Sequence, residues 1–579
     1  MTRTKPALPQ RHLWATAMLC LIGLGILFRV ANLGQAVYWV DEVATSMRVA
    51  GYTYGEVIQQ VVRQPLTAAD LLQFQRLRPN ASWPGLLSVL AQSPEHAPLY
   101  FVLMRLWAER FGTSVAAMRS LSVVFSVMAL PAMYWVCDSL FELKPSPNKR
   151  SVGWTSKRSV GWTSRRSLSS PVAWTATGLL AISPFFVAYA QEARPYSLWV
   201  LLLLLTLGTL WRSLQSNQPL AWVSYTLALI LSLYTSLLTL LVVLGQGLAV
   251  VLFHPRRRVY LLATAAALIA LLPWGWVVVT HWQVLQSNTV WMREPMPLWA
   301  ILGIWHYSLA VLFFDVPVAA GQPALLGLQM AIATGVVALM GHATHQLARQ
   351  TPTRLGWLLA LGSLSTPAAL LLIDLVRSGQ AAATPRYLIP TQLGALIAVA
   401  YCLSRVLIWS RQRRGTPSRF WRCVAALLLS ISLASCLIGL THASNYQKSR
   451  NRSNPAIISV VNQSPSPLLI AEADHVQDLI SLSYGLAPDV DIYIAPPRSP
   501  AADAAVNRPP DSLEGWLAAT LRREADRLTP NSGPVFIFTP SETMKRAVQQ
   551  NQGVLRPVYQ PVRLISSELG LELWRLEFL

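Results

Sequence analysis

Four stretches of this sequence set ionisable side chains beside apolar runs. "YWVDEVAT" carries Asp41 and Glu42, and "SPEHAPLYFVLMRLW" carries Glu95, His96 and Tyr100. "ISPFFVAYAQEARPYSL" carries Glu192, Arg194 and Tyr196, and "AATPRYLIP" carries Arg386 and Tyr387. A carboxylate at the mouth of a membrane cavity can take a proton from a hydroxyl or amine as it attacks. Arginine's planar fork suits a phosphate oxyanion at headgroup depth. Each stretch also has a plainer reading. Asp41 and Glu42 could cap a juxtamembrane helix and meet solvent, and Glu95 could answer the dipole of a helix opened by Pro98. Arg194 could snorkel and pair with Glu192, while Arg386 and Tyr387 could anchor a helix at the interface. Glu95 and His96 fall short of a metal site, whose third and fourth ligands the sequence does not locate. No cofactor is assigned, and a divalent metal stays open without a clear ligand cluster to support it.

The elements that must hold these residues follow from composition. Of 579 residues, 53% are hydrophobic and 13% charged, and the mean hydropathy is +0.40. That profile fits a polytopic membrane protein with some soluble mass. The net charge of +21 is not a nucleic-acid footprint. Residues 442–579 hold 13 basic and 14 acidic side chains, and the remainder holds 34 basic and 12 acidic. The excess clusters between apolar runs, as cytoplasmic loops do.

Eleven runs have spanning length, near 13–33, 115–141, 171–190, 196–213, 220–236, 237–253, 259–280, 322–342, 355–375, 387–409 and 420–441. Segments 97–111 and 298–314 are apolar but short or charged, and are expected to lie in the outer interface. This arrangement gathers the basic loops on the side of the N-terminus, so the N-terminus is inside and the C-terminus outside. Asp138 and Glu142 then face inward, and the other ten acidic residues fall at or beyond outer helix ends. A proton-coupled transporter is expected to keep carboxylates mid-membrane. Chemistry at the outer face is the better inference.

The five cysteines fall in apolar runs without paired spacing and read as small buried hydrophobes rather than disulfides. The first apolar run lacks a small-residue cleavage pattern and reads as an uncleaved signal anchor. A repeat of "KRSVGWTS" within 149–168 reads as a disordered basic loop on anionic headgroups. Residues 1–441 form the membrane domain. Residues 442–579 alternate strand-like runs ("PLLIA", "VDIYIA", "PVFIF", "LELWRLEFL") with helical ones, which predicts a small α/β domain outside.

Taken in order, "YWVDE", "HAPLYF", "ISPFFVAYAQEARPYSL" and "PRYLIP" resemble glycosyltransferase family 39. Its members are GT-C enzymes related to protein O-mannosyltransferases and the aminoarabinose transferase of lipid A. The resemblance covers roughly residues 12–410 and implies an inverting enzyme of a bacterial plasma membrane. Such an enzyme passes a sugar from a polyprenyl-phosphate donor to an acceptor (protein, lipid or glycan) on the outer face. It implies Asp41 as the general base and Arg194 and Arg386 as holders of the lipid phosphate. Two places depart from the family pattern: Ala97 replaces the first proline of a His-Pro-Pro-Leu run, and Ser236 stands where relatives carry histidine after Tyr-Thr. The alternative from another class is a flippase for lipid-linked sugars, without transferase activity.

Overall fold

The computed structural model describes residues 8–62, 64–79, 82–142, 169–216, 218–317, 322–406, 419–441, 446–496, 513–523, 533–561 and 570–578. The repeat at 149–168 lies outside the described residues. Each of the eleven apolar runs is helical. Among the described residues, seven helices are long and apolar enough to cross a membrane, or eight if a bent pair counts as one. The chain is a multi-pass membrane protein.

Two of the remaining runs are short. Pro219–Leu233 and Thr239–Phe253 have 15 residues each, a rise of ~22 Å against the ~30 Å of a hydrocarbon core. The turn between them, Tyr234–Leu238, thereby sits low. Leu99–Phe111 and Leu298–Ala310, at 13 residues each, are shorter still. The ends of these helices gather at two ends of the bundle. Residues 41, 96, 194, 236, 288 and 386 meet at one end of the bundle. At the other end Arg256 donates to the carbonyls of Ser213 and Leu214, with Arg354 close to His254.

The run at 171–190 is a broken span. Pro171–Ala181 and Pro184–Ala190 meet at 59°, because Pro184 has no N–H to give to the preceding turn. The carbonyls of Leu180, Ala181 and Ile182 at the break find side-chain donors, as a medium without water demands. Arg29, fully buried, donates to the carbonyls of Leu180 and Ala181. Ser432 Oγ (2.7 Å) and Cys436 Sγ (3.1 Å) both take that of Ile182. Gln191 then donates to the carbonyls of Phe28 and Ala31 at 2.8 Å each, fastening the next turn to the end of Leu8–Val30. The break therefore aims the loop at 191–195, and with it Arg194.

The C-terminal region carries a six-stranded sheet of order β1-β3-β2-β4-β6-β5. Its strands are β1 (Leu66–Thr67), β2 (Leu468–Glu472), β3 (Asp491–Ala495), β4 (Val535–Phe538), β5 (Gly553–Tyr559) and β6 (Leu573–Phe578). The four strands read from sequence are β2, β3, β4 and β6. Two were missed: β5, an edge strand holding Pro557, and β1, only two residues long and supplied by the long loop after the first helix. β2 lies parallel to both β3 and β4, and strands buried on two faces read as unbroken apolar runs. Leu468, Ile470, Val535 and Ile537 pack under helices Leu513–Arg523 and Glu542–Gln550. Leu469, Ala471, Phe536 and Phe538 face the other way and share a core with Val43, Met47 and Val57 of that loop. The cysteines are all free, but Cys20 and Cys423 are exposed on helix faces turned away from the bundle, unlike the buried Cys137, Cys402 and Cys436.

Candidate active site

Helix Val40–Ala50 follows the first span and brings Asp41 into its opening turn. It ends cleanly, because Gly51 adopts φ 93° and its N–H returns to the carbonyls of Arg48 and Met47. Asp41 faces a cavity of about 1230 Å³. Two arginines reach its carboxylate, Arg386 at 3.4 Å and Arg194 at 3.8 Å. Arg194 also donates to Thr45 Oγ1 (3.1 Å), to the Asp41 carbonyl (3.3 Å) and to the Tyr196 hydroxyl (3.4 Å). The Arg386 guanidinium lies 5.7 Å from the Trp39 ring centre and 5.9 Å from that of Tyr387, where aromatic faces hold a cation.

Arg48 joins the same wall and donates to Ser93 Oγ at 3.0 Å. It stands seven residues after Asp41, two helical turns on, hence on the same face. That spacing was legible in the sequence and was passed over. Also on the lining, Glu95 accepts from Asn288 (3.2 and 3.3 Å) and lies 3.8 Å from His96. His96 is held neutral, its basicity pushed well below the ordinary range by burial and then by Arg48, Arg194 and Arg386. Thr235, Ser236 and Leu237 of the low-lying turn line the cavity too.

Three expected site residues stand behind the wall rather than on it. Glu42 is fully buried and takes two charge-assisted bonds from Arg119 (2.8 and 2.7 Å) and one from the Ala193 N–H (2.9 Å). Arg119 in turn donates to the carbonyls of Leu33, Ala36 and Val37, so the pair fixes the whole approach to Asp41. Adjacent helix residues diverge by ~100°, which is why one of the pair faces the cavity and the other the protein. Tyr100 is buried as well. Its hydroxyl meets Ser122 Oγ at 2.8 Å, and Ser122 donates to the Arg194 carbonyl at 3.2 Å. Glu192 is fully buried beside the same loop. Asp41, Glu95, His96, Arg194, Tyr196, Arg386 and Tyr387 do line the cavity.

Two solved structures resemble the chain. ArnT from Cupriavidus metallidurans bound to undecaprenyl phosphate is 14% identical, with 98% of each chain covered and a TM-score of 0.45. The same protein in the apo state is 13% identical, covering 97% of this chain and 98% of that one, with a TM-score of 0.49. No family model and no curated protein matches the sequence.

The electrostatics of the cavity follow from its arginines. Burial alone would raise the Asp41 carboxyl, but Arg386, Arg194, Arg48 and Arg450 outweigh it and hold the group below the usual carboxylate range. Arg450 belongs to the segment after the last span, and with Gln477 it brings the C-terminal region into the cavity lining. No local pattern in the sequence announced either residue. The Nε of Arg194, the Nε of Arg386 and an Nη of Arg48 are buried donors with no acceptor among the described residues. Each such donor costs about 1–3 kcal/mol unless something accepts from it. Three convergent cationic donors around one carboxylate suit a ligand that brings oxyanions to a proton acceptor.

Proposed function

We propose that this chain is an inverting glycosyltransferase that draws on a polyprenyl-phosphate sugar donor and works at the outer face of the membrane. The observation that carries the reading is the placement of Asp41 within 3.4–3.8 Å of two arginines, beside three orphan guanidinium donors. In the proposed reaction an acceptor hydroxyl attacks C1 of the sugar from the side opposite the phosphate. As the new C1–O bond forms, its proton passes to Asp41. The bond from C1 to the phosphate oxygen breaks, and the electron pair leaves on polyprenyl phosphate. That product carries one more negative charge than the diester it came from. Arg194, Arg386 and Arg48 are preorganised to meet charge that grows in the transition state. A single displacement needs one carboxylate, in contrast to the paired carboxylates of a retaining hydrolase. The cavity exceeds the ~300–1,000 Å³ of ordinary small-ligand pockets, which leaves room for donor and acceptor headgroups together.

The test is turnover by the purified protein in lipid nanodiscs. Radiolabelled polyprenyl-phosphate sugars are supplied, and both transfer and free polyprenyl phosphate are scored. The expected result is release of the lipid phosphate, lost in Asp41→Asn. Movement of labelled lipid across proteoliposomes with no cleavage would instead make the protein a flippase.

A further inference from the structure

The helix that presents Asp41 has no cap of its own. Trp39, its N-cap residue, offers no side-chain acceptor, although the first N–H groups of a helix need one. The Val40 N–H is met instead by Asn451 Oδ1 at 3.0 Å, from 411 positions later in the chain. Asn451 is fully buried, and its Nδ2 donates to Asp478 Oδ1 at 3.3 Å. Asp478, buried as deeply, also accepts two bonds from Arg450 (2.9 and 2.7 Å) and faces His475 at 3.4 Å. One residue before Trp39, the Tyr38 carbonyl accepts from Ser481 Oγ at 2.6 Å. The peptide groups leading into Asp41 are thus fixed from the C-terminal region by side chains that, Arg450 apart, lie outside the cavity lining.

We propose that Asn451, keyed by Asp478, is a positioning residue for Asp41, so that the C-terminal domain is part of the catalytic apparatus. The proposal rests on the assignment of Asp41 as base. A general base acts only within hydrogen-bond reach of the proton it removes, and a misplacement of ~1 Å can cost about 100-fold in rate. Val40 is the peptide neighbour of Asp41, so its anchor adds to the Glu42–Arg119 pair in setting the direction of the carboxylate. Arg194 and Arg386, proposed to hold the phosphate, are carried by other elements; Arg194 touches the anchored helix at the Asp41 carbonyl and Thr45 Oγ1, but its own backbone carbonyl is held by Ser122.

The experiment uses the full-length protein in nanodiscs with radiolabelled polyprenyl-phosphate mannose, in the presence of cell-envelope extract as acceptor source. Asn451→Ala and Asp478→Ala are each expected to lower kcat by about 10–100-fold while the donor KM stays within about twofold. The exchanged pair, Asn451→Asp with Asp478→Asn, is expected to regain most of the lost kcat. It rebuilds the hydrogen bond with donor and acceptor swapped and still offers Val40 an acceptor. Docking is read separately with Leu66→Cys and Ile492→Cys, which face each other across β1 and β3. A bifunctional thiol reagent should bridge them equally with and without Asn451→Ala. A kcat within twofold of the parent in Asn451→Ala overturns the proposal, as does a rise in donor KM that accounts for the loss. Loss of the cross-link makes Asn451 a docking residue and overturns it too. If Asp41→Asn itself turns over normally, the base assignment falls, and that result is read without the Asn451 variants.

Discussion

A carboxylate among arginines is a weak base until something else occupies them. Asp41 is in that position, and its behaviour with pH follows from the sign of the shift. Burial raises the group, the four arginines more than reverse this, and the Asp41 carboxylate of the free protein stays ionised below the ordinary ~3.9 of an aspartate. The acid limb of kcat/KM for the donor is therefore expected below about pH 3.9. A bound phosphate engages Arg194 and Arg386 and adds negative charge, so the acid limb of kcat, which reports the complex, should lie at higher pH. Coincident limbs in the two pH–rate profiles would contradict this. Asp41→Asn keeps the shape and removes the basicity, and is expected to lose about 10²–10⁴-fold in kcat with donor binding retained. Arg194→Ala and Arg386→Ala should each weaken donor binding by about 1.5–3 kcal/mol, read as donor Kd by equilibrium binding. At this scale the sequence was informative, because Asp41, Arg194 and Arg386 each stand in a short motif beside an apolar run. Arg48 was equally readable from its two-turn spacing. Arg450 was not, since nothing local ties it to residue 41.

Among the elements, the pairing of Glu42 with Arg119 decides how the base helix is seated. Breaking one side of a buried ion pair leaves the other charge uncompensated, at a cost of about 3–5 kcal/mol. Glu42→Gln is accordingly expected to lower the thermal unfolding temperature markedly while the activity per folded molecule persists. A variant as stable as the parent but inactive would move Glu42 from support to chemistry. Sequence reasoning anticipated that one of two adjacent carboxylates turns away from the cavity, because helical geometry requires it. Its partner was out of reach. Arg119 sits in a run that reads as an ordinary span, 77 residues from Glu42, and no periodicity links the two. The broken span was half legible: Pro184 marks a fault in the helix, but the donors that make the fault tolerable come from Arg29, Ser432 and Cys436 on other helices.

For the whole molecule, the eleven helical runs and the alternating elements of the tail were readable from hydropathy and period alone. Their grouping at two ends agrees with the charge of the loops. Which end faces outward is an expectation that single-cysteine labelling can check. Ser287→Cys, exposed near the cavity mouth, should react with an impermeant maleimide in intact cells, and Gln218→Cys at the opposite end should be spared. Labelling of position 218 in sealed cells would invert the orientation. Glu192 is no use for such labelling, since it is fully buried.

The two residues of β1 also impose an order on biosynthesis. Leu66 and Thr67 pair with Ile492 and Asp491, so the ribosome has some four hundred residues still to add after β1 emerges before its partner exists. At about 5–20 residues per second that interval is on the order of 20–90 s. Through it the loop after the first helix waits without its sheet, and Val40 waits without Asn451. Pulse-labelled chains should therefore gain protease resistance around residues 40–70 only after synthesis has passed residue 495, and nascent chains arrested before that point should stay cleavable there. The helix nearest the first span is thus among the last to be anchored, and a chain cut short late in the message leaves Val40 without Asn451 and β1 without β3.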